Sequence, residues 1–224
     1  MNEKFFDTWT NDSAYILGFL MADGNILCKG YINSKYKGNG YILTINLHLK
    51  DKSILDYISS KLETKQPKIR KIIGNDNIYR EQASLVICNK YMILKLIEHG
   101  VVPNKTGKEI IPPTLPDIFF PDFLRGYFDG DGSIRNGQQL CNGKIYGQYN
   151  LKFVCANSDL LKQFKLRLNN IGGKIISSKK DNCSRWQIQS KKDILKIKNI
   201  MYSNDRFCLN RKKEIFDKIG AKND

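Results

Sequence analysis

Ile16-Leu17-Gly18-Phe19-Leu20-Met21-Ala22-Asp23-Gly24, near the start of the chain, returns in altered form as Leu124-Arg125-Gly126-Tyr127-Phe128-Asp129-Gly130-Asp131-Gly132. Each copy is an apolar run that ends in an acidic residue and a glycine. Asp23 and Asp131 lie 108 residues apart (131 less 23), close to half of the 224-residue chain, as a tandem duplication requires. Gly18 and Ala22 stand four apart, as do Gly126 and Gly130, so on a helix each pair forms one stripe of small residues. Such a stripe lets a second backbone approach closely. The repeat therefore predicts two helices packed about a pseudo-twofold axis, with Asp23 and Asp131 meeting where both helices end.

The signals on either side of each copy also repeat. Thr10-Asn11-Asp12-Ser13 supplies N-cap residues before the first run, and Pro121 with Asp122 suits the first turn of the second. Both helices are expected to stop at glycine, Gly24 and Gly132. Tyr41 to Lys50 alternates, with Tyr41, Leu43, Ile45, Leu47 and Leu49 on one face and Thr44, Asn46, His48 and Lys50 on the other. Tyr146, Gln148, Asn150 and Lys152 alternate likewise with Tyr149, Leu151 and Phe153. Period-two alternation predicts sheets with one dry and one polar face. A helix follows each (Ser53 to Leu62; Ser158 to Leu168), then two strands (68–74 with 78–88; 174–180 with 184–190) and a closing helix. The expected architecture is α+β: two αββαββα halves, each with a mainly antiparallel four-stranded sheet. Five of the six prolines fall between Pro103 and Pro121, which sets the domains at 1–100 and 121–224 with a proline-rich linker over 101–120.

Composition narrows the function. Thirty-seven Lys and Arg against 22 Asp and Glu leave a net charge of +15, spread along the whole chain, which favours a polyanionic partner. The longest apolar run, Ala14 to Ala22, falls far short of the ~20 residues that span a bilayer, so a soluble intracellular protein without a membrane partner is expected. The six cysteines never approach Cys-x-x-Cys spacing and there are two histidines, which argues against zinc and for reduced, mostly buried thiols. Two carboxylates forced together repel unless a cation sits between them, and hard oxygen ligands favour Mg²⁺ or a similar ion. Asp129-Gly130-Asp131 does not continue as an EF-hand, because Ile134 stands where that loop needs glycine and Leu140 where it needs glutamate. A cation pair held against a polyanion points to a metal-dependent nuclease.

The paired phrases resemble the LAGLIDADG motif, and two copies in one chain resemble the monomeric LAGLIDADG homing endonucleases. The resemblance implies that the motif helices pack at the interface and that the two sheets form a DNA-binding saddle. It makes Asp23 and Asp131 the ligands of the catalytic ions, Mg²⁺ or Mn²⁺, helped by the carbonyls of Ala22 and Gly130. Met21 departs from the pattern, standing where the family usually has an earlier aspartate that Asp129 matches in the second copy. Lys105 and Lys212 correspond to lysines beside the metals, and Asn157 to a polar residue that holds the water network. The first-half counterpart of Asn157 is apolar Leu49 or, one residue on, Lys50.

A polar, basic sheet face suits the major groove, where amides and guanidiniums read base edges. The candidate readers are Asn46, His48, Lys68, Arg70, Arg80 and Gln82 in the first half. In the second they are Arg135, Gln138, Gln139, Gln148, Asn150, Lys152, Arg185, Gln187 and Gln189, with Trp186 and Ile188 turned inward. Lys179 and its lysine neighbours are expected to contact phosphates. The expected function is site-specific cleavage of a long, imperfectly palindromic DNA duplex by one monomer. The alternatives are an RNA maturase that assists intron splicing and a DNA-binding regulator without cleavage. An intron-encoded or free-standing enzyme is expected, in the cytoplasm of a bacterial or phage-infected cell or in an organelle matrix.

Overall fold

In the computed structural model, which describes residues 1–29, 40–73, 79–141, 143–178 and 180–221, the chain folds as two similar halves. The first runs α1 (Asn11–Asp23), β1 (Asn25–Cys28), β2 (Tyr41–His48), α2 (Lys52–Lys61), β3 (Lys68–Ile73), β4 (Tyr79–Cys88) and α3 (Lys90–Glu98). The second runs α4 (Phe120–Asp131), β5 (Gly132–Cys141), β6 (Lys144–Cys155), α5 (Ser158–Arg167), β7 (Lys174–Ser178), β8 (Cys183–Ile188) and α6 (Lys191–Tyr202). A further helix, α7 (Asn210–Ala221), closes the second half and breaks the expected identity of element order. Each half holds a four-stranded antiparallel sheet, ordered β1-β2-β4-β3 and β5-β6-β8-β7.

α1 starts at a capping box in which Ser13 N–H donates to Thr10 Oγ1 and Thr10 N–H donates to Ser13 Oγ. From Ser13 to Ala22 every residue of α1 is buried, because the helix lies between α4 and its own sheet. The two motif helices run side by side in the same direction, with Asn11 bonded to Asp122 at one end and Ala22 against Gly130 at the other. The small-residue stripe is the contact itself. A Cβ on Gly18 would sit 2.0 Å from the Phe123 carbonyl oxygen, and one on Gly126 would sit 1.9 Å from the Tyr15 carbonyl oxygen. Phe123 stands to Gly126 as Tyr15 stands to Gly18, so the contact is reciprocal, as a pseudo-twofold axis demands.

Both helices do stop at glycine, for a reason other than the one expected. Gly24 (φ −71°, ψ 141°) and Gly132 (φ −85°, ψ 153°) are extended rather than left-handed. What excludes a side chain is crowding, since a Cβ would lie 2.6 Å from the Leu20 carbonyl oxygen at Gly24 and 2.4 Å from that of Phe128 at Gly132.

The sheets turn their alternate residues as the pattern predicts: Leu43, Ile45 and Leu47 are buried, and Asn46 and His48 are exposed. β2 ends at His48, however, because Leu49–Asp51 coil into a 3₁₀ turn, so Lys50 is not a strand residue. In the second sheet Phe153 and Trp186 stack in the core at 5.7 Å, and Ile188 is fully buried. The proline-rich stretch carries no strand or α-helix from His99 to Pro116. Of the cysteines, Cys28, Cys155 and Cys208 are buried, Cys183 is half-buried, and Cys88 and Cys141 are exposed. The expectation of mostly buried thiols is thus corrected: Cys88 and Cys141 end strands and project from them. Among the described residues no helix is long and apolar enough to cross a membrane.

Candidate active site and nucleic-acid interface

The glycine contact decides what lies at the end of the seam. A Cβ on Gly130 would meet the Ala22 Cβ at 2.4 Å and the Asp23 Oδ2 at 3.1 Å, so only glycine lets the two acidic ends close on each other. Asp23 is half-buried and Asp131 is exposed. Although the residue as a whole is exposed, partial desolvation of its carboxyl at the packed helix ends, together with the neighbouring Asp23 carboxylate, pushes Asp131 up to about 6. Burial also raises Asp23, against the pull of Lys105 and Lys212. The C-termini of α1 and α4 converge here, and their terminal carbonyls add partial negative charge. Two carboxylates and two helix C-termini form a hard-oxygen setting for a divalent cation, and the donor set fits the ions expected. Among the described residues no group of three or more His, Cys, Asp and Glu that could hold a metal ion occurs.

Lysines complete the electrostatics in both halves. Lys105 donates to the Ala22 carbonyl at 2.5 Å. Lys212, 4% exposed, donates to the carbonyls of Phe128 (2.7 Å), Asp129 (2.8 Å), Gly130 (3.3 Å) and Gly132 (2.6 Å). Each lysine caps the helix that carries its aspartate, and the two carbonyls named as metal ligands are among those capped. Burial lowers Lys212 to about 8. Asn157 is placed differently: its Nδ2 donates to the Glu109 carbonyl and its Oδ1 accepts from Asp159 N–H as the N-cap of α5. That amide ties the linker to the second half.

Three further sets of contacts hold the seam along its length, and their long-range partners carry no signal in the sequence. Arg211 grips Asp51 through Nε and Nη2 at 2.7 and 2.9 Å, joining α7 to the turn after β2 across the two halves. Asp51 raises Asp23 in turn. Asp122, fully buried at the far end of the seam, accepts from Asn11, Arg125 and Arg206. Asp129 Oδ2 accepts from the Tyr15 hydroxyl and Leu209 N–H, while Met21, its counterpart, is wholly buried.

The open sheet faces carry most of the expected base readers. Register aligns His48, Gln82 and Arg70 across β2, β4 and β3, and Asn46, Ser84 and Lys68 in the adjoining row; Arg80 continues the same face opposite Ile72. In the second sheet Lys152 and Gln187 align, Arg135 faces Asn150, Gln148 faces Gly137, and Gln139 faces Tyr146. Arg185 lies on this face opposite Val154 and is paired with Asp181 at 2.7 Å, and Gln189 follows β8. Gln138 is a correction. It is the strand neighbour of Gln139 and pairs with Gly147, so it points to the opposite face with Asn136 and Ile134. Lys179 lies outside the described residues.

Residues 122–201 match the family described as LAGLIDADG-like domain. No curated protein matches the chain. Solved structures with this fold include the meganuclease I-SmaMI bound to uncleavable DNA, with a TM-score of 0.63 at 14% identity, covering 95% of this chain and 89% of that one. I-SmaMI bound to cleaved DNA aligns with a TM-score of 0.62 at 14% identity over 94% of this chain and 87% of that one. The LAGLIDADG meganuclease I-AabMI bound to uncleaved DNA gives 0.61 at 16% identity, covering 93% and 91%.

Proposed function

The chain has the two-half LAGLIDADG fold throughout and a LAGLIDADG-like domain in its second half, and from that premise we propose that it is a site-specific double-strand DNA endonuclease. The target is a long, imperfectly palindromic duplex, bound by one monomer. One observation carries the reading: the reciprocal approach of Gly18 and Gly126 brings Asp23 and Asp131 to a single seam between two polar sheet faces. The duplexes held by the meganucleases of the same fold agree with it.

Asp23 and Asp131 would hold the cations, and the Ala22 and Gly130 carbonyls, capped here by Lys105 and Lys212, would be the further oxygens. When bound, Mg²⁺ or Mn²⁺ polarises the phosphoryl oxygen, activates water and stabilises the leaving oxygen. Lys105 and Lys212 supply positive charge beside the developing phosphorane. Asn157 would order solvent through the N–H and the lone pair that its bonds to Glu109 and Asp159 leave over. Lysine, asparagine and isoleucine are heavily used, which agrees with an AT-rich genome and a site of action in a bacterial or phage-infected cytoplasm or an organelle matrix.

The test is incubation with a DNA library and Mg²⁺. Asp23→Asn and Asp131→Asn should each abolish cleavage while DNA affinity stays within about threefold, since binding is spread over both sheets. Loss of binding together with cleavage would make the aspartates structural. Intact duplex with tight binding of intron RNA would favour the maturase.

A further inference from the structure

The two sheets present different chemistry at equivalent rows, and the difference assigns a base preference to the first half. The strand that leaves each aspartate crosses its sheet in matched register. Asn25, Thr44 and Val86 form the first row in one half, and Ser133, Lys152 and Gln187 form it in the other. The next row is Leu27, Ile42 and Cys88 against Arg135 and Asn150. The second half therefore places a guanidinium, an ammonium and two amides in these rows, where the first keeps one amide, Asn25, and sets aliphatic groups at Leu27, Ile42 and Val86. These aliphatic groups are not core. Ile26, Cys28, Leu43, Ile45, Leu85 and Ile87 alternate with them and are buried, whereas Val86 is 43% exposed and Leu27 and Ile42 are half-buried on the open face.

An aliphatic side chain against base edges in the major groove offers no hydrogen bond. It leaves the acceptors of guanine and the amino groups of adenine or cytosine unpaired, and it gains only where the thymine C5-methyl meets it. We propose that Leu27, Ile42 and Val86, with the Thr44 methyl, read thymine methyl groups, so that the half-site under the first sheet carries thymines where the second half-site is read by hydrogen bonds. This rests on the duplex-cleaving reading. The patch adjoins the Asp23 end of α1 on the same face as Asn46, Arg70 and Gln82, in a chain of net charge +15, which suits a duplex occupant. Burying one methyl is worth about 0.8 kcal/mol, or roughly fourfold in affinity.

The experiment is selection of bound duplexes from a randomised library, followed by replacement of thymine with deoxyuridine, which removes only the methyl. The wild-type protein should select thymine at one or two base pairs of one half-site and lose about fourfold in affinity per deoxyuridine there. Val86→Ser should abolish the sensitivity at one position while preferences in the other half-site and the salt dependence stay unchanged. Val86→Thr, nearly the same shape and still bearing a methyl, should keep the sensitivity, which separates loss of the methyl contact from misfolding. A defined target indifferent to deoxyuridine, or equal sensitivity in Val86→Ser, overturns the assignment and leaves the endonuclease standing. Failure to select any duplex removes both.

Discussion

Asp131 is the residue whose state reports most directly on the site. Its carboxyl, raised from 3.8 to about 6, holds a proton in the folded chain over a window in which the unfolded chain has lost it. The folded state then binds more protons between those values, so this contribution to stability is present at low pH and lost as pH rises through 6. Without divalent ions, Asp131→Asn should therefore melt above the wild type at pH 7.5, with the gap narrowing below pH 6 and closing only toward pH 4. A gap that is independent of pH would show that the carboxyl is not raised. Lys212 permits a second test. Lys212→Met strands the buried carbonyls at the end of α4, which should cost about 1–3 kcal/mol in urea unfolding as well as cleavage. Asp23→Asn and Asp131→Asn should retain the fold, which separates loss of chemistry from loss of structure.

At the scale of the element, the motif helices work as a pair and fail as a pair. Gly18 and Gly126 each face a backbone carbonyl at a distance no Cβ tolerates, and backbone does not yield as a side chain tip does. Gly18→Ala or Gly126→Ala should cost about 3 kcal/mol or more in urea unfolding, beyond the range of ordinary overpacking. Cleavage by the surviving folded fraction should also fall, since the same displacement parts Asp23 from Asp131. Gly107, against which no atom lies within 4 Å, serves as the control position for added bulk, although its φ of +83° adds strain of its own. The helix ends carry a related lesson. Glycine after a helix ordinarily signals a left-handed cap, yet Gly24 and Gly132 are extended and exist to clear the last turn's own carbonyls.

For the molecule as a whole, charge and shape act together. The two sheets set polar rows on the faces away from the motif helices, and the net charge of +15 adds a field that any polyanion senses. Phosphate contacts release counterions, so DNA affinity should fall by roughly 10³-fold or more between 50 and 200 mM salt if six or more phosphates are neutralised. A titration of binding against salt that came out flat would mean that the basic residues serve solubility. The halves are joined by specific contacts as well as by the seam. Arg211 to Asp51 and Asn11 to Asp122 cross between them, so their relative placement is bonded and not left to the linker.

Much of this was legible from pattern alone. The duplicated phrase, its small-residue stripe and the alternation of β2 and β6 determined the helix pair, the two sheets and the identity of the two acids, because periodicity and sterics act over a few residues. Gln138 shows the limit even there: two adjacent glutamines cannot share a strand face, and only the register with Gly147 says which one turns away. The rest came from distant parts of the chain meeting. That Lys212 would sink among four carbonyls, that Arg211 would hold Asp51, and that Asn157 would donate to the Glu109 carbonyl depend on partners tens to more than a hundred residues away. Close packing chooses such partners, since a buried polar group takes whichever mate the folded surface brings within reach.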